Sequence, residues 1–263
     1  MLKQLLLICG TTLLISSFVT QKKKEFLPPG TVKINDTLFA DETEISNFSW
    51  LEYTLWTFRK FGYNSKEYRS VLPDTLVWRD SSSYNEPYVA YYLRHPAYRN
   101  YPVVGISYEQ ALDYCRWRTE RVKEFMCVSK KYELVDFEYR LPSKKEWEFV
   151  SGDCLNMFRN RGKNEKGQIR FNHVWAKDSL EWLGDKQREN YDVTAPVYSY
   201  WPNNFKLYNM IGNVAEMVAE KGISKGGGWR HHFEQCRVGN DITYQKPTAW
   251  LGFRCVCIVK KKK

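Results

Sequence analysis

The sequence lacks the residue patterns of several common enzyme classes. Its 263 residues include only four histidines, and no H-E-x-x-H sequence occurs, which excludes a metalloprotease helix of that type. The histidines also form no sequence cluster that could supply a three-histidine iron site. Neither standard glycine-rich phosphate loop is present, so the common nucleotide-binding motifs are excluded as well.

Serine-hydrolase chemistry is excluded too, although one stretch matches its nucleophile motif. Gly222-Ile-Ser224-Lys-Gly226 has the G-x-S-x-G pattern, but that motif requires an acid and then a histidine downstream. The later histidines, His231 and His232, both precede Asp241. Because no base follows the acid, we expect Ser224 to be a turn residue ahead of a glycine-rich strand.

The body of the chain has almost no net charge. The full sequence carries 40 Lys and Arg against 30 Asp and Glu, a surplus that often indicates a nucleic-acid partner. Without eight lysines near the ends, 32 cations face 30 anions; the eight are Lys3, Lys22, Lys23, Lys24 and Lys260 to Lys263. We therefore predict no nucleic-acid partner, and membrane contact through the N-terminal segment and the lysine tails stays open.

The first 20 residues have the layout of a secretory signal peptide: a short charged start, an apolar run and small residues at its end. We predict an exported protein, periplasmic or associated with the outer membrane, with a signal over 1–20, a basic linker over 21–29 and a lysine tail over 260–263. An uncleaved anchor and a lipoprotein acylated at Cys9 are the alternatives. Six cysteines remain after this segment, an even number that suits disulfides in an oxidising compartment, with buried free thiols as the alternative.

Residues 30–259 are predicted to form a single α+β domain with much irregular structure. A helix is predicted to begin at Ser46 or Asn47 and to end at Gly62, because the apolar residues Leu51, Leu55 and Phe58 recur at helical spacing. Capping boxes at residues 107–110 and 143–146 open two more helices. Short β-type runs occur at 102–106 and 253–259.

Aromatic residues are abundant, with 18 Tyr, 14 Phe and 10 Trp. We interpret them as core and loop packing, because large rings are mostly buried and can fix irregular segments. A sugar-binding surface is the alternative.

Three stretches share the content and the order of one known family. They are 102–117, 139–149 and 207–216, the last followed by Gly-Gly-Gly-Trp at 226–229 and Gly-Phe-Arg-Cys at 252–255. Together with opening segments at 29–33 and 41–47, they resemble the formylglycine-generating enzyme, or sulfatase-modifying factor, family over nearly all of the chain past the signal. The resemblance implies a single α+β domain related to the C-type lectin fold.

The resemblance also bears on catalysis. Family members that oxidise a substrate cysteine to formylglycine hold copper with two cysteines, as suits soft Cu(I). Here His231 occupies the first cysteine position, and Cys236 matches a later half-cystine of the family, so both copper ligands are expected to be missing. A replacement copper or zinc site of His231, His232 and Cys236 is a weaker alternative, because neighbouring strand residues point to opposite faces.

The same resemblance implies structural uses for cysteines and for a metal. It implies a disulfide between Cys115 and Cys255 and, less securely, one between Cys154 and Cys236, while Cys127 and Cys257 have no counterpart. It also implies a structural calcium ion, for which oxygen ligands are suited. A metal-free turn held by asparagine side chains is the alternative. The ligands would be Asn209, Gly212, Val214 and Glu216, and a weaker second site would use Asn172 and Glu189.

We therefore predict an exported, non-catalytic binding or scaffold module of the bacterial cell envelope with a protein partner. Similar members of the family include gliding-motility and type IX secretion lipoproteins of Bacteroidota. A formylglycine-generating oxidase that acts on a sulfatase cysteine is the first alternative, and a carbohydrate-binding module is the second.

Overall fold

The computed structural model describes residues 26–80, 84–129, 135–174 and 193–260. The predicted signal segment, most of the basic linker, Glu189 and residues 261–263 lie outside these ranges. None of the helices in the described part has the length and the hydropathy that a membrane span would need. Helices and strands are mixed along the chain, which confirms the predicted α+β class.

Two four-stranded sheets form the β part of the described chain. The first sheet is antiparallel, in the order β1 (Thr31–Lys33), β2 (Leu38–Asp41), β8 (Val256–Lys260) and β3 (Asp136–Arg140). The second has the order β6 (Ile242–Thr243), β5 (Ile223–Lys225), β4 (Ala215–Met217) and β7 (Leu251–Gly252), and its β4–β7 pair is parallel. The strands are short, with two to five residues each.

In the described part of the chain, five α-helices and several 3₁₀ segments accompany the strands. The helices are α1 (Asn47–Phe61), α2 (Lys66–Ser70), α3 (Glu86–Tyr91), α4 (Tyr108–Ser129) and α5 (Lys144–Ser151). The 3₁₀ segments are Thr75–Trp78, Pro96–Tyr98, Gly152–Gly162 and Phe233–Cys236.

The predicted helix ends are confirmed. The Ser46 hydroxyl accepts the Ser49 N–H at the start of α1, and Gly62, with φ of 88°, ends that helix. At α4 the Ser107 N–H donates to the Gln110 side chain at 2.7 Å, and α5 begins with the reciprocal Ser143 and Glu146 box. Short polar side chains at these positions bond amides that the first helical turn leaves free.

Helix α4 packs on the first sheet, and α1 packs on α4 through an aromatic core. Trp50 of α1 stacks on Tyr114 of α4 with ring centroids 5.4 Å apart, and both rings are buried. The Thr119 hydroxyl of α4 accepts the Tyr139 N–H of β3 at 2.9 Å. Large rings therefore fix the helices on the sheet by packing, as expected from their abundance.

Two local predictions were wrong. Residues 102–106 form no strand; their amides instead bond to loops, with the Val103 N–H on the Ile45 carbonyl and the Gly105 N–H on the Thr248 carbonyl. Ser224 lies inside β5 rather than in a turn, and its hydroxyl donates to the Ile242 carbonyl at 2.9 Å. In both places, partners distant in sequence decide the backbone structure.

Candidate functional site

A polar cleft lies beside the segment that follows the glycine-rich strand. Its volume is about 500 Å³, and its lining comes from the 3₁₀ turn Phe233–Cys236, the loop after it, β6 and Trp250. His231, Gln235, Asn240 and Asp241 present polar side chains to it. One of its lining residues, His231, stands where the family resemblance places the first copper ligand.

Cys236 is buried behind this cleft as a neutral thiol. Its sulfur donates to the His232 carbonyl at 3.6 Å, and burial raises the pKa of Cys236 to about 12. Gly227, with φ of 69°, passes so close that an added Cβ would lie 2.4 Å from the Cys236 sulfur. A thiol in this position is neither a thiolate nor open to a substrate.

The two neighbouring histidines point in different directions. His231 is buried, its Nδ1 accepts the Gly228 N–H at 3.0 Å, and its ring meets Trp250 edge-on at 4.7 Å. Burial lowers the pKa of His231 to about 4, so the ring stays neutral near neutral pH. His232 is exposed. The two imidazoles therefore do not converge, and the described residues contain no group of three His, Cys, Asp or Glu side chains placed to hold a metal ion.

Paired charges border the other side of the cleft. The fully buried ammonium of Lys225 donates to Glu148 at 2.7 Å and to Asp241 at 3.1 Å. Lys144 also pairs with Asp241, and its hydrogen bond, together with the weaker effect of Lys225, keeps the pKa of Asp241 below its usual range. The cleft thus presents an ionised but neutralised carboxylate beside amide groups, a surface suited to polar binding.

The predicted disulfide partners lie in the core. The sulfurs of Cys115 and Cys255 are 3.5 Å apart and unbonded, and burial raises the pKa of Cys255 well above its usual range. Cys154 and Cys236 belong to one hydrophobic cluster. Both predicted disulfides stay predictions, and the sulfurs of the first pair, Cys115 and Cys255, lie next to each other.

Glu216, a predicted calcium ligand, has a different set of contacts. Its carboxylate accepts the Arg254 Nε–H at 2.9 Å and 2.7 Å and the Arg254 Nη2–H at 2.6 Å. The Trp147 indole N–H adds a bond of 2.7 Å. Arg254 neutralises this carboxylate inside the core, so in this arrangement Glu216 does not fit a calcium ion.

The carboxylate beside the predicted calcium loop is instead Glu44, which the sequence analysis missed. The side-chain amides of Asn209 and Asn213 donate to it at 3.2 Å and 2.8 Å. Burial raises the pKa of Glu44 to about 8, more than nearby Arg254 lowers it. No local pattern marks this residue, because its partners lie 165 and 169 positions away.

Asparagine side chains hold the rest of the loop together. The Asn209 amide also donates to the Val197 carbonyl at 3.1 Å, and Asn172 donates to the Val193 carbonyl at 2.7 Å. Gly212, with φ of 79°, approaches so closely that a Cβ would lie 2.3 Å from the Asn172 carbonyl oxygen. The calcium loop and its metal-free alternative both stay predictions, and Glu189 of the weaker second calcium site lies outside the described residues.

Several known proteins with similar sequences are named as formylglycine-generating enzymes or as inactive forms of that enzyme. The chain is 31% identical over 189 residues to a formylglycine-generating enzyme of Thermomonospora curvata, covering 59% of this chain and 55% of that protein. It is 27% identical over 177 residues to the inactive C-alpha-formylglycine-generating enzyme 2 of Bos taurus, covering 59% and 50%. The chain thus spans about half the length of the curated relatives it matches.

Structural comparison supports the fold. The solved structure of CarF superimposes with a TM-score of 0.52 at 14% identity, covering 88% of this chain and 96% of that one. A sequence model of the sulfatase-modifying factor enzyme 1-like domain matches residues 2–259, almost the whole chain. The chain therefore belongs to the sulfatase-modifying factor enzyme 1-like domain family.

Proposed function

We propose that this protein is an exported, non-catalytic binding or scaffold module of the bacterial cell envelope that binds a protein partner. One observation carries the proposal: the cleft has no thiolate pair among its described residues. His231 is a neutral imidazole where the oxidising relatives have a cysteine, and Cys236 is a buried thiol that bonds to a backbone carbonyl. Without soft anionic ligands, Cu(I) loses the coordination that the oxidation requires.

Two further points support this proposal. Two of the similar proteins are named as inactive forms of the enzyme, so loss of activity within the family has precedent. The N-terminal signal pattern supports export. The proposed location in the cell envelope rests on the resemblance to gliding-motility and type IX secretion lipoproteins. The polar cleft would then receive an extended peptide segment instead of processing it.

The competing function is a formylglycine-generating oxidase with an altered site. It is favoured by the name that several of the similar proteins carry. Both functions place a peptide in the same cleft, so peptide binding alone does not separate them. The fate of the peptide thiol does.

The test incubates the purified chain with Cu(I), oxygen and a peptide that carries the sulfatase signal Cys-x-Pro-x-Arg. Mass spectrometry then reads the peptide, and the Thermomonospora curvata enzyme serves as the positive control. We expect the cysteine to stay intact, and we expect Cys236→Ser to leave the affinity for Cu(I) unchanged. An aldehyde at the peptide cysteine, lost in the Cys236→Ser variant, would establish the oxidase instead.

A further inference from the structure

Helix α1 carries a second apolar face that points away from the core. Phe48, Leu51, Leu55 and Phe58 recur at i, i+3, i+7 and i+10, the spacing of a helix-packing seam. Phe48, Leu55 and Phe58 are 42%, 46% and 39% exposed. Single exposed apolar residues are common on protein surfaces, but a continuous row at this spacing indicates an interaction site.

The fold does not need this row for its own core. The opposite face of α1 is the one that packs inward, and its buried residues are Asn47, Trp50, Tyr53, Thr54 and Thr57. Only Leu51 of the outer row packs partly against the core cluster. Phe58 also contacts the Tyr68 ring, with centroids 5.6 Å apart, and the exposed parts of Phe48, Leu55 and Phe58 are open to another molecule.

Two adjoining cavities run along this face. One has a volume of about 420 Å³ and the other about 200 Å³. They share Leu51 and Arg94 in their linings, which makes them parts of one depression. We call this depression the α1 groove. Its lining includes Phe48, Leu51, Leu55, Arg69, Arg94 and Arg99.

The charge of the α1 groove is positive. Arg69, Arg94 and Arg99 line it, and none of the three forms an ion pair with another described residue. Among the residues that line the two cavities, Glu52 is the only carboxylate. The Arg99 guanidinium lies 5.3 Å from the Phe48 ring centroid, which places a cation directly beside the apolar row.

We propose that the α1 groove docks an amphipathic segment of a partner protein whose apolar side chains are flanked by aspartate and glutamate. A helix laid on the row would bury its apolar side chains between the arginines, which then meet its carboxylates. A second copy of this chain fits less well, because pairing the same face would bring like charges together. The inference rests on the proposed binding function and names the class of its partner.

The experiment measures binding of two labelled helical peptides to the purified full chain by fluorescence anisotropy. Both peptides carry leucines at i, i+3, i+7 and i+10; one has glutamates beside the leucines and the other has lysines there. We expect the glutamate peptide alone to bind, and its affinity to fall as salt rises, since salt screens exposed charges.

Matched variants locate the site. Leu55→Asp and Arg94→Glu should each weaken binding of the glutamate peptide about tenfold, as expected for an interface anchor and a facing charge. Val128→Asp and Lys246→Glu change an exposed valine of α4 and an exposed lysine elsewhere, and binding should stay within about twofold of the unmodified chain. Circular dichroism and thermal unfolding confirm that each variant is folded.

Several results would overturn the proposal. The proposal fails if the two peptides bind equally well, or if the control variants lose as much affinity for the glutamate peptide as Leu55→Asp and Arg94→Glu do. It also fails if the chain self-associates and Leu55→Asp abolishes that association. Binding to phosphatidylglycerol vesicles without binding to the glutamate peptide would overturn it as well. The oxidation assay has a separate readout. A chain that binds the glutamate peptide yet oxidises the sulfatase peptide would refute only the proposed function, and a chain that does neither would refute only the docking surface.

Discussion

The buried pair of Arg254 and Glu216 gives the sharpest stability prediction. Both side chains are almost fully buried, at 0% and 1% exposure, and Arg254 also donates to the carbonyls of Asp41 and Tyr208 at 3.0 Å and 2.7 Å. The substitution Arg254→Met removes the cation but keeps most of the side-chain volume. It leaves Glu216 as an uncompensated charge in the core.

The magnitude follows from the geometry. Removing one partner of a buried ion pair costs about 3–5 kcal/mol, and the two carbonyls that lose their donor place this case at the upper end. For a domain of this size, that cost corresponds to a fall in melting temperature of roughly 6–20 °C. The double variant Arg254→Met with Glu216→Gln should regain roughly 1–3 kcal/mol, because the uncompensated charge is gone.

Urea unfolding would measure the free energy of unfolding of the unmodified chain, the single variant Arg254→Met, the double variant and a matched control, Arg116→Met. Arg116 pairs with Asp113 on the surface of α4, where the side chains are 68% and 42% exposed, so its loss should cost about 0.5 kcal/mol or less. The reasoning would be refuted if Arg254→Met cost no more than Arg116→Met. It would also be refuted if the double variant were no more stable than the single one.

Two further predictions concern buried titratable groups. Because burial raises the pKa of Glu44 from 4.5 to about 8, the folded state holds this proton more tightly than the unfolded chain, and the group's stabilisation is lost as pH rises from about 4.5 to about 8. Urea unfolding across that range should show the unmodified chain losing stability relative to Glu44→Gln. If the free energy of unfolding changed with pH in the same way for both proteins, the raised pKa of Glu44 would be contradicted. Under reducing, native conditions, iodoacetamide should alkylate exposed Cys127 well before Cys154 and Cys236, since burial raises the pKa of both buried thiols to about 12. Peptide mapping would show the order, and equal rates would mean that the buried thiols open readily.

Local signals in the sequence were enough to place three helices. Each depends on a side chain that bonds an amide within three positions, as at Ser46, Ser107 and Ser143. The family motifs likewise gave the fold class, because they cover most of the chain. The different burial of His231 and His232 has another cause than the strand alternation that was expected, because the His231 N–H closes a turn on the Gly228 carbonyl at 2.8 Å.

Long-range partners explain what could not be predicted. Residues 102–106 have the composition of a strand, yet their amides find partners in two separate loops. The calcium role of Glu216 comes from the family resemblance and stays a prediction, whereas its ion pair with Arg254, 38 positions later, was not predicted. Glu44 was not identified at all, since only the folded chain brings it to Asn209 and Asn213.

The place of β8 in the first sheet determines when the domain can fold. This strand, at residues 256–260, lies between β2 and β3 and pairs with both of them. The ribosome must therefore release residues up to about 260 before β8 can join the sheet between β2 and β3, and such distant pairing makes folding slow. Until then β2 and β3 each expose an unpaired edge, so the sheet is completed in one late step.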